Sequence, residues 1–209
     1  PIAFVNFLQN HDQIGNRAFG DRLETIAKPA AMEAALAVTL LAPMPPMLFM
    51  GEEWGSRAPF PFFCDFTGDL ADAVRRGRRR EFRAAYAAHG DEIPDPLDEA
   101  TFHNSCLDWD ELTLPSARER LSLVRRLLTV RKEHIVPHLA SARFDDACVS
   151  AAGLLRARWK LGENRSLALA ANLSESAVTA PESSGDMIWG NRDREVMAPW
   201  SVIWTAGGE

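Results

Sequence analysis

The chain has little cysteine, no surplus of positive charge and no long apolar run. Cys64, Cys106 and Cys148 lie far apart and form no CxxC pair, so we expect reduced thiols of the cytoplasmic kind rather than a disulfide framework or a zinc site. A net charge of −6 excludes the global positive field of a general nucleic-acid-binding protein. No apolar stretch approaches the roughly 20 residues needed to span a membrane. We therefore expect a cytoplasmic protein that binds neither nucleic acid nor membrane.

Phosphate loops and metal-binding clusters are also missing. The sequence contains neither GxxxxGK[ST] nor GxGxxG. His134 and His138 have helical spacing, but Pro137 lies between them and is expected to end the helix that would align them. The residues present therefore require no metal ion and no organic cofactor.

The first half of the chain alternates strand-like and helix-like segments. It opens at Pro1, directly in the apolar run "IAFVNFL", so we expect a sequence that starts inside a domain. Residues 2–9 have the pattern of a buried strand, 29–42 of a mostly buried helix that begins at a proline, and 46–50 of a second short strand. Strand, helix and strand with short connections indicate a parallel βαβ unit.

The second half begins with a long irregular stretch, 51–116, that contains one clear helix near 69–88. Residues 117–134 predict an amphipathic helix with arginines opposite an apolar stripe. We place that stripe at Leu121, Val124, Leu128 and Ile135. After Pro137, "LLRARWKL", "RSLALAANL", "DMIWG" and "WSVIWT" have strand patterns. The last 65 or so residues therefore predict a small all-β domain.

A run of polar side chains follows the first predicted strand in "FLQNHDQIGNRAFGDRL", residues 7–23. Because ligand sites of parallel α/β folds lie at the carboxyl ends of strands, Asp12 beside His11 is a candidate for holding sugar hydroxyls, stabilising a developing cation or transferring a proton. The alternative is a polar turn that hydrogen-bonds its own backbone. Both interpretations stay open on spacing alone.

The second predicted strand ends in "GEEWG". Glu53 on the same rim as Asp12 would form a pair of carboxylates, which suggests a glycosidase, and Trp54 would offer a stacking face for sugar. Capping by the glutamates and packing by Trp54 explain the motif equally well. The basic run "RRGRRR", 75–80, lacks interleaved aromatics, so we expect an exposed or salt-bridged helix face.

Longer strings resemble a known family. "FLQNHDQIGNRAFGDRL" resembles the fourth conserved region of the α-amylase superfamily, family 13 of the glycoside hydrolases, and its extended form is similar to the trehalohydrolase branch. "PMLFMGEEWG", "PFFCDFTGDLADAVRRGRRREF", "PDPLDEATFHNSCLDWDEL" and "LAANLS... PWSVIWT" match in the same order. The resemblance thus covers essentially the whole chain.

The resemblance implies an α/β fold in which this chain supplies the C-terminal part of a (β/α)8 barrel. Residues 1–138 would be that part, with strands seven and eight and their flanking helices, and 139–209 a small antiparallel β-sandwich domain. It also implies a retaining glycoside hydrolase that acts on maltooligosyl trehalose or related α-1,4-glucan oligosaccharides and cleaves the bond next to the terminal trehalose.

Residue roles carry over only where the motifs match. Asp12 would stabilise the transition state, with His11 beside it on a sugar hydroxyl. The remaining substrate-contacting positions would be Gln13, Ile14, Gly15, Asn16, Glu53 and Trp54. The family's nucleophile and general acid lie on strands four and five, which would precede Pro1, so the resemblance argues against an Asp12/Glu53 catalytic pair and implies an inactive fragment. The alternatives are another α-amylase-superfamily enzyme, or a non-catalytic glucan-binding module using Trp54 or Trp109.

Overall fold

The three longest helices form where alanine, leucine or arginine is dense, and each begins at a proline or glycine. The computed structural model describes residues 3–182, 185–191 and 195–208. The α-helices are α1 His11–Gly15, α2 Leu23–Ile26, α3 Pro29–Leu41, α4 Gly68–Glu81, α5 Arg83–His89, α6 Glu99–Asn104 and α7 Pro115–His134. Short 3-10 helices lie at Gly90–Glu92, Trp109–Thr113 and Val136–Ser141. The helices predicted at 29–42, 69–88 and 117–134 are therefore present, the second as two pieces.

Among the described residues, the strands lie in the C-terminal part of the chain. They are β1 Ala142–Val149, β2 Leu154–Leu161, β3 Ser166–Asn172, β4 Val178–Thr179, β5 Asp186–Trp189, β6 Val196–Met197 and β7 Ser201–Gly207. Five of them form an antiparallel sheet in the order β1-β2-β3-β7-β5, and β4 pairs with β6. The expected alternation in β2 is confirmed, since Arg156, Arg158 and Lys160 are exposed between more buried neighbours.

The chain forms two compact units, of which the first comprises Pro1–Leu8, Ala27–Met47 and Glu119–Glu209. Its core has an aromatic centre, where Trp159 and Trp204 stack with ring centroids 5.7 Å apart. The buried Trp204 indole N–H donates to the Ala37 carbonyl of α3 at 3.1 Å, which fixes α3 against β7. Trp159 and Trp204 are thus core residues, whereas Trp189 and Trp200 are only half-buried.

The second unit comprises Gln9–Ile26 and Leu48–Arg118. It contains the polar loop after residue 8, the "GEEWG" segment, and helices α4 to α6. The segment Phe60–Phe63 packs against the polar loop. Gly20, with a φ of +66°, lies so close that an added Cβ would be 2.1 Å from the Pro61 nitrogen.

Three local expectations are wrong. Residue 2 lies outside the described residues, and the rest of the predicted buried strand at 2–9 makes one parallel bridge, Asn6 to Pro46, with Phe4 73% exposed. The predicted strand at 46–50 likewise contributes only that bridge. Both segments lack a second hydrogen-bonding neighbour among the described residues, and a strand requires a ladder of partners.

The third error concerns the buried face of α7. Leu128 is exposed, whereas Leu127 and Arg131 are buried. Arg131 occupies the face because its guanidinium donates to the carbonyls of Leu40, Ala42 and Met44. No helix in the described residues is long and apolar enough to cross a membrane.

Candidate functional site

The polar loop begins with a self-contained helix cap. Asn10 precedes α1, and its side-chain oxygen accepts from the Asp12 amide at 2.7 Å and the Gln13 amide at 3.4 Å. The Gln13 side chain returns the bond by accepting from the Asn10 amide at 2.9 Å. This reciprocal capping box satisfies the amides that the first helical turn leaves without partners. The side chains of Asn10 and Gln13 therefore serve the backbone, as the polar-turn interpretation expected.

Asp12 and His11 differ from their neighbours because their side chains point outward. They are 70% and 67% exposed, and His11 Nε2 lies 3.2 Å from Asp12 Oδ1. The Asp12 backbone is held by the cap on one side and by the Asn16 amide, which donates to the Asp12 carbonyl at 3.0 Å, on the other. A carboxylate and an imidazole are thus fixed at the backbone and open to a ligand.

The second half of α1 is anchored rather than exposed. Ile14 is fully buried, and the Gly15 carbonyl accepts from Arg78 Nη2 of helix α4 at 2.8 Å. Asn16 is exposed and lines a shallow groove of about 520 Å³ together with Phe62 and the α4 side chains Arg78, Arg80 and Glu81. Of the three predicted substrate contacts here, only Asn16 presents a side chain to open space.

A buried arginine joins the polar loop to the segment around "GEEWG". Arg22 is fully buried, donates to the carbonyls of Met50 and Ala58, and lies 5.1 Å from the centroid of the Phe49 ring. Burial lowers the pKa of its guanidinium, against the opposing effect of nearby carboxylates that include Glu24 and Glu111. The sequence marks this residue only as the arginine of "GDRL", and its partners lie 28 and 36 positions away.

The "GEEWG" segment is organised around a carboxylate that sequence reasoning missed. Glu111 accepts from the Trp54 indole N–H and from the Arg57 amide, each at 3.2 Å. Burial raises the pKa of the Glu111 carboxyl, but hydrogen bonds from Ser56, Trp54 and Arg57 together with the Arg22 charge outweigh burial and hold it below its ordinary value. Glu111 thus acts as an anion that fixes this loop.

The two tryptophans considered as sugar-stacking faces, Trp54 and Trp109, differ in exposure. Trp54 is only 4% exposed, and its ring packs on Trp109, with centroids 5.1 Å apart and planes tilted by 40°. Trp109 is 65% exposed. Because a buried indole has no free face, the packing interpretation fits Trp54, and the open indole is that of Trp109. Glu52 is buried and accepts from the Phe49 amide at 2.9 Å, whereas Glu53 is half-buried.

Three of the five arginines of α4 pair with carboxylates, which agrees with the expected salt-bridged helix face. Arg75 contacts Asp95 at 2.8 Å, Arg78 contacts Glu81 at 3.2 Å, and Arg79 contacts Asp91 at 3.5 Å. Within residues 3–182, 185–191 and 195–208, no group of three or more His, Cys, Asp or Glu side chains is arranged to hold a metal ion.

Several named proteins are similar in sequence to this chain. The malto-oligosyltrehalose trehalohydrolase of Deinococcus radiodurans is 44% identical over 135 residues, which is 65% of this chain and 22% of that protein. The enzyme of the same name from Brevibacterium helvolum is 36% identical over 213 residues, which is 97% of this chain and 35% of that protein. The chain therefore spans between about a fifth and a third of the length of these relatives. A family described as "Domain of unknown function (DUF3459)" matches residues 142–204.

Solved structures agree with these relatives. A crystal structure described as an alpha amylase from Salmonella typhimurium is 39% identical, with a TM-score of 0.86 over 99% of this chain and 35% of that one. Trehalulose synthase MutB from Pseudomonas mesoacidophila MX-45 shares 19% identity and a TM-score of 0.58 over 97% of this chain and 42% of that one, which shows the fold alone. The fold is thus of the α-amylase class. Within that class, this chain is similar along 97% of its length to a malto-oligosyltrehalose trehalohydrolase.

Proposed function

We propose that this chain is the C-terminal part of an enzyme that hydrolyses the α-1,4-glucosidic bond next to the terminal trehalose unit of maltooligosyl trehalose and releases trehalose. The observation that carries this proposal is the 36% identity to a named trehalohydrolase along 97% of the chain. Asp12 and His11 follow the segment 2–9, and their exposed side chains are consistent with a role in binding sugar.

Asp12 is proposed to stabilise the transition state. Cleavage of a glycosidic bond passes through an oxocarbenium-like state, and a fixed carboxylate near the distorted ring stabilises the positive charge while accepting bonds from ring hydroxyls. The His11 ring, 3.2 Å from the Asp12 carboxylate, would contact a neighbouring sugar hydroxyl. Asn16 and Glu53 are further candidate substrate contacts. The remaining candidates would support the conformation of the substrate loops without touching the sugar: Gln13, Ile14, Gly15 and Trp54.

The nucleophile and the general acid are proposed to come from the part of the enzyme that precedes residue 1. A retaining glycosidase needs these two carboxyl groups about 5 to 5.5 Å apart, and the family resemblance assigns neither to a residue of this chain. The 209 residues alone are therefore expected to be inactive. The apolar segment around Phe4 is joined to Pro46 by one parallel bridge, and Phe4 is exposed. Both observations support the proposal that this segment is a barrel strand whose other neighbouring strand comes from the preceding part of the enzyme.

The proposed layout places strands seven and eight of a (β/α)8 barrel in residues 1–138 and a small antiparallel β-sandwich in 139–209. The cluster of Leu154, Ala170, Val178, Met197 and Ile203, which joins residues of the larger sheet to β4 and β6, supports the second assignment. We place the enzyme in the cytoplasm, with α-glucan oligosaccharides as its substrates.

A second candidate is a different α-amylase-type reaction, in which an internal α-1,4 bond is cut and no trehalose is released. The 39% identity to the Salmonella typhimurium alpha amylase structure favours keeping this candidate. Product analysis separates the two, because only a trehalohydrolase releases trehalose from maltooligosyl trehalose.

The test is an assay of the full-length gene product, with the reading frame extended upstream of Pro1. We expect trehalose release from maltooligosyl trehalose, and a fall in kcat on the order of a hundredfold or more in the Asp12→Asn variant, because a preorganised charge near the reacting centre is lost. Asp21→Asn, in the same loop, is the matched control. Linear products without trehalose would favour the second candidate, and turnover by the 209 residues alone would refute the proposed division of carboxylates.

A further inference from the structure

Helix α4 supplies one side chain that reaches across to the loop bearing Asp12. Arg78 is 14% exposed at its side chain, whereas its neighbours Arg76 and Arg79 are exposed. Its Nη2 donates to the Gly15 carbonyl at 2.8 Å, and its Nη1 contacts Glu81 at 3.2 Å. The guanidinium also lies 4.4 Å from the ring centroid of Phe82 and 5.3 Å from that of Phe62.

These contacts hold the guanidinium in one orientation. The Glu81 carboxylate and the two aromatic rings fix the guanidinium plane, since arginine stacks on aromatic faces and pairs with carboxylates in a planar fork. The hydrogen bond that the Arg78 side chain makes outside α4 goes to the Gly15 carbonyl. Arg78 is thus a rigid tether from a fourteen-residue helix to the final residue of α1.

The tether matters because α1 is too short to be stable by itself. It has five residues, His11–Gly15, and isolated helices below about 12 residues are marginal in water. The capping box of Asn10 and Gln13 holds its first turn. At the other end the carbonyls of a helix have no intrahelical partner, and Arg78 provides that partner at Gly15. Asp12 lies between these two anchors.

We propose that Arg78 is a positioning residue for Asp12, which sets the direction of the carboxylate by fixing the end of α1. This inference rests on the proposed function, in which Asp12 stabilises the transition state. Arg78 itself touches no reacting atom in this scheme. Because a misplacement of about 1 Å in a catalytic group can lower the rate a hundredfold, loss of the tether is expected to reduce kcat more than it changes KM.

The test compares Arg78→Met, Arg78→Lys and the control Arg76→Met in the full-length enzyme. Arg76 lies on the same helix and is exposed, and its side chain makes no hydrogen bond or ion pair with a described residue. We expect kcat to fall at least tenfold in Arg78→Met with KM within about threefold, to recover partly in Arg78→Lys, which can donate one bond to Gly15, and to stay within twofold in Arg76→Met. Equal losses in the methionine and lysine variants, or a change confined to KM, would overturn the inference.

Hydrogen–deuterium exchange gives a second measurement that does not depend on activity. The amides of Ile14, Asn16 and Arg17, bonded to the carbonyls of Asn10, Asp12 and Ile14, should exchange at least tenfold faster in Arg78→Met than in Arg76→Met. Unchanged exchange would refute the tether. If the wild-type enzyme releases no trehalose, the proposed function fails, whereas a fully active wild type with unaffected Arg78 variants refutes only the positioning role.

Discussion

Replacement of Arg131 by methionine tests how a buried cation stabilises the first unit. Arg131 is 6% exposed and lies on α7. Its Nη1 donates to the Leu40 carbonyl at 3.0 Å and to that of Ala42, and its Nη2 donates to the Met44 carbonyl at 2.8 Å. These carbonyls lie at and beyond the end of α3, where a helix leaves carbonyls without intrahelical partners. Methionine has a similar length but no donor.

Two opposing terms set the magnitude. A buried acceptor left without a partner costs about 1–3 kcal/mol, so three of them cost about 3–9 kcal/mol before relaxation. Burial lowers the pKa of the Arg131 guanidinium, which shows that the charged form is poorly solvated there, and removing the charge recovers part of that cost. We expect a net loss of about 3 kcal/mol in the free energy of unfolding for Arg131→Met. Arg131→Lys, with one ammonium, should lose about half as much.

Urea unfolding followed by tryptophan fluorescence measures this loss. The buried Trp204, whose indole N–H bonds to Ala37 in the same unit, provides the signal. With a slope near 2 kcal/mol per molar urea, 3 kcal/mol lowers the midpoint by about 1.5 M. Arg125→Met on an exposed position of the same helix should change the stability by no more than about 0.5 kcal/mol. A midpoint for Arg131→Met equal to or above that of the control would show that desolvation of the charge outweighs its bonds and would refute the reasoning.

Two further predictions concern the second unit. Because the pKa of Glu111 is lower in the folded state than in the unfolded chain, its contribution to stability is complete above the unfolded value, about 4.3, and is lost as pH falls through the folded value. The stability difference between wild type and Glu111→Gln, measured by urea unfolding, should therefore be larger at pH 7 than at pH 3; a constant difference would contradict it. Gly20→Ala should lower the stability by well over 1 kcal/mol, because φ is +66° and the new Cβ would overlap the Pro61 nitrogen, whereas Gly77→Ala, with no atom within 4 Å of the added Cβ, should be stabilising or neutral by the same measurement.

Segments whose partners lie nearby in the sequence were predictable. The position of α3 follows from Pro29 at its start and an alanine-rich run, and β2 follows from strict alternation of apolar and basic residues. Strand β1 was not predicted, although it lies beside β2. Its register shifts between Phe144 and Asp146, and such an irregularity breaks the two-residue period on which strand prediction depends. Most of its side chains are also exposed, as expected at the edge of a sheet.

Features that depend on distant partners were not predictable. The periodicity of α7 is compatible with a buried face at either Leu127 or Leu128, and the choice depends on Arg131, whose acceptors lie 87 to 91 positions earlier. The apolar run at the start of the chain has strand propensity, but its only described ladder partner is the segment at Pro46. The strand propensity of a segment depends on its own residues, whereas a strand also requires hydrogen bonds to a neighbouring segment.

In the polar loop, too, side chains with partners nearby in the sequence were predictable and a side chain with a distant partner was not. "NHDQ" contains four side chains, each of which is chemically able to hydrogen-bond a ligand. An N-cap asparagine followed three residues later by glutamine is itself a capping signature, so Asn10 and Gln13 could have been assigned to the backbone in advance. Arg78 could not, since it lies 63 positions from Gly15. Asn10, Gln13 and Arg78 hydrogen-bond the backbone at the two ends of α1. The side chains of His11 and Asp12 are therefore not needed there and remain exposed to solvent or substrate.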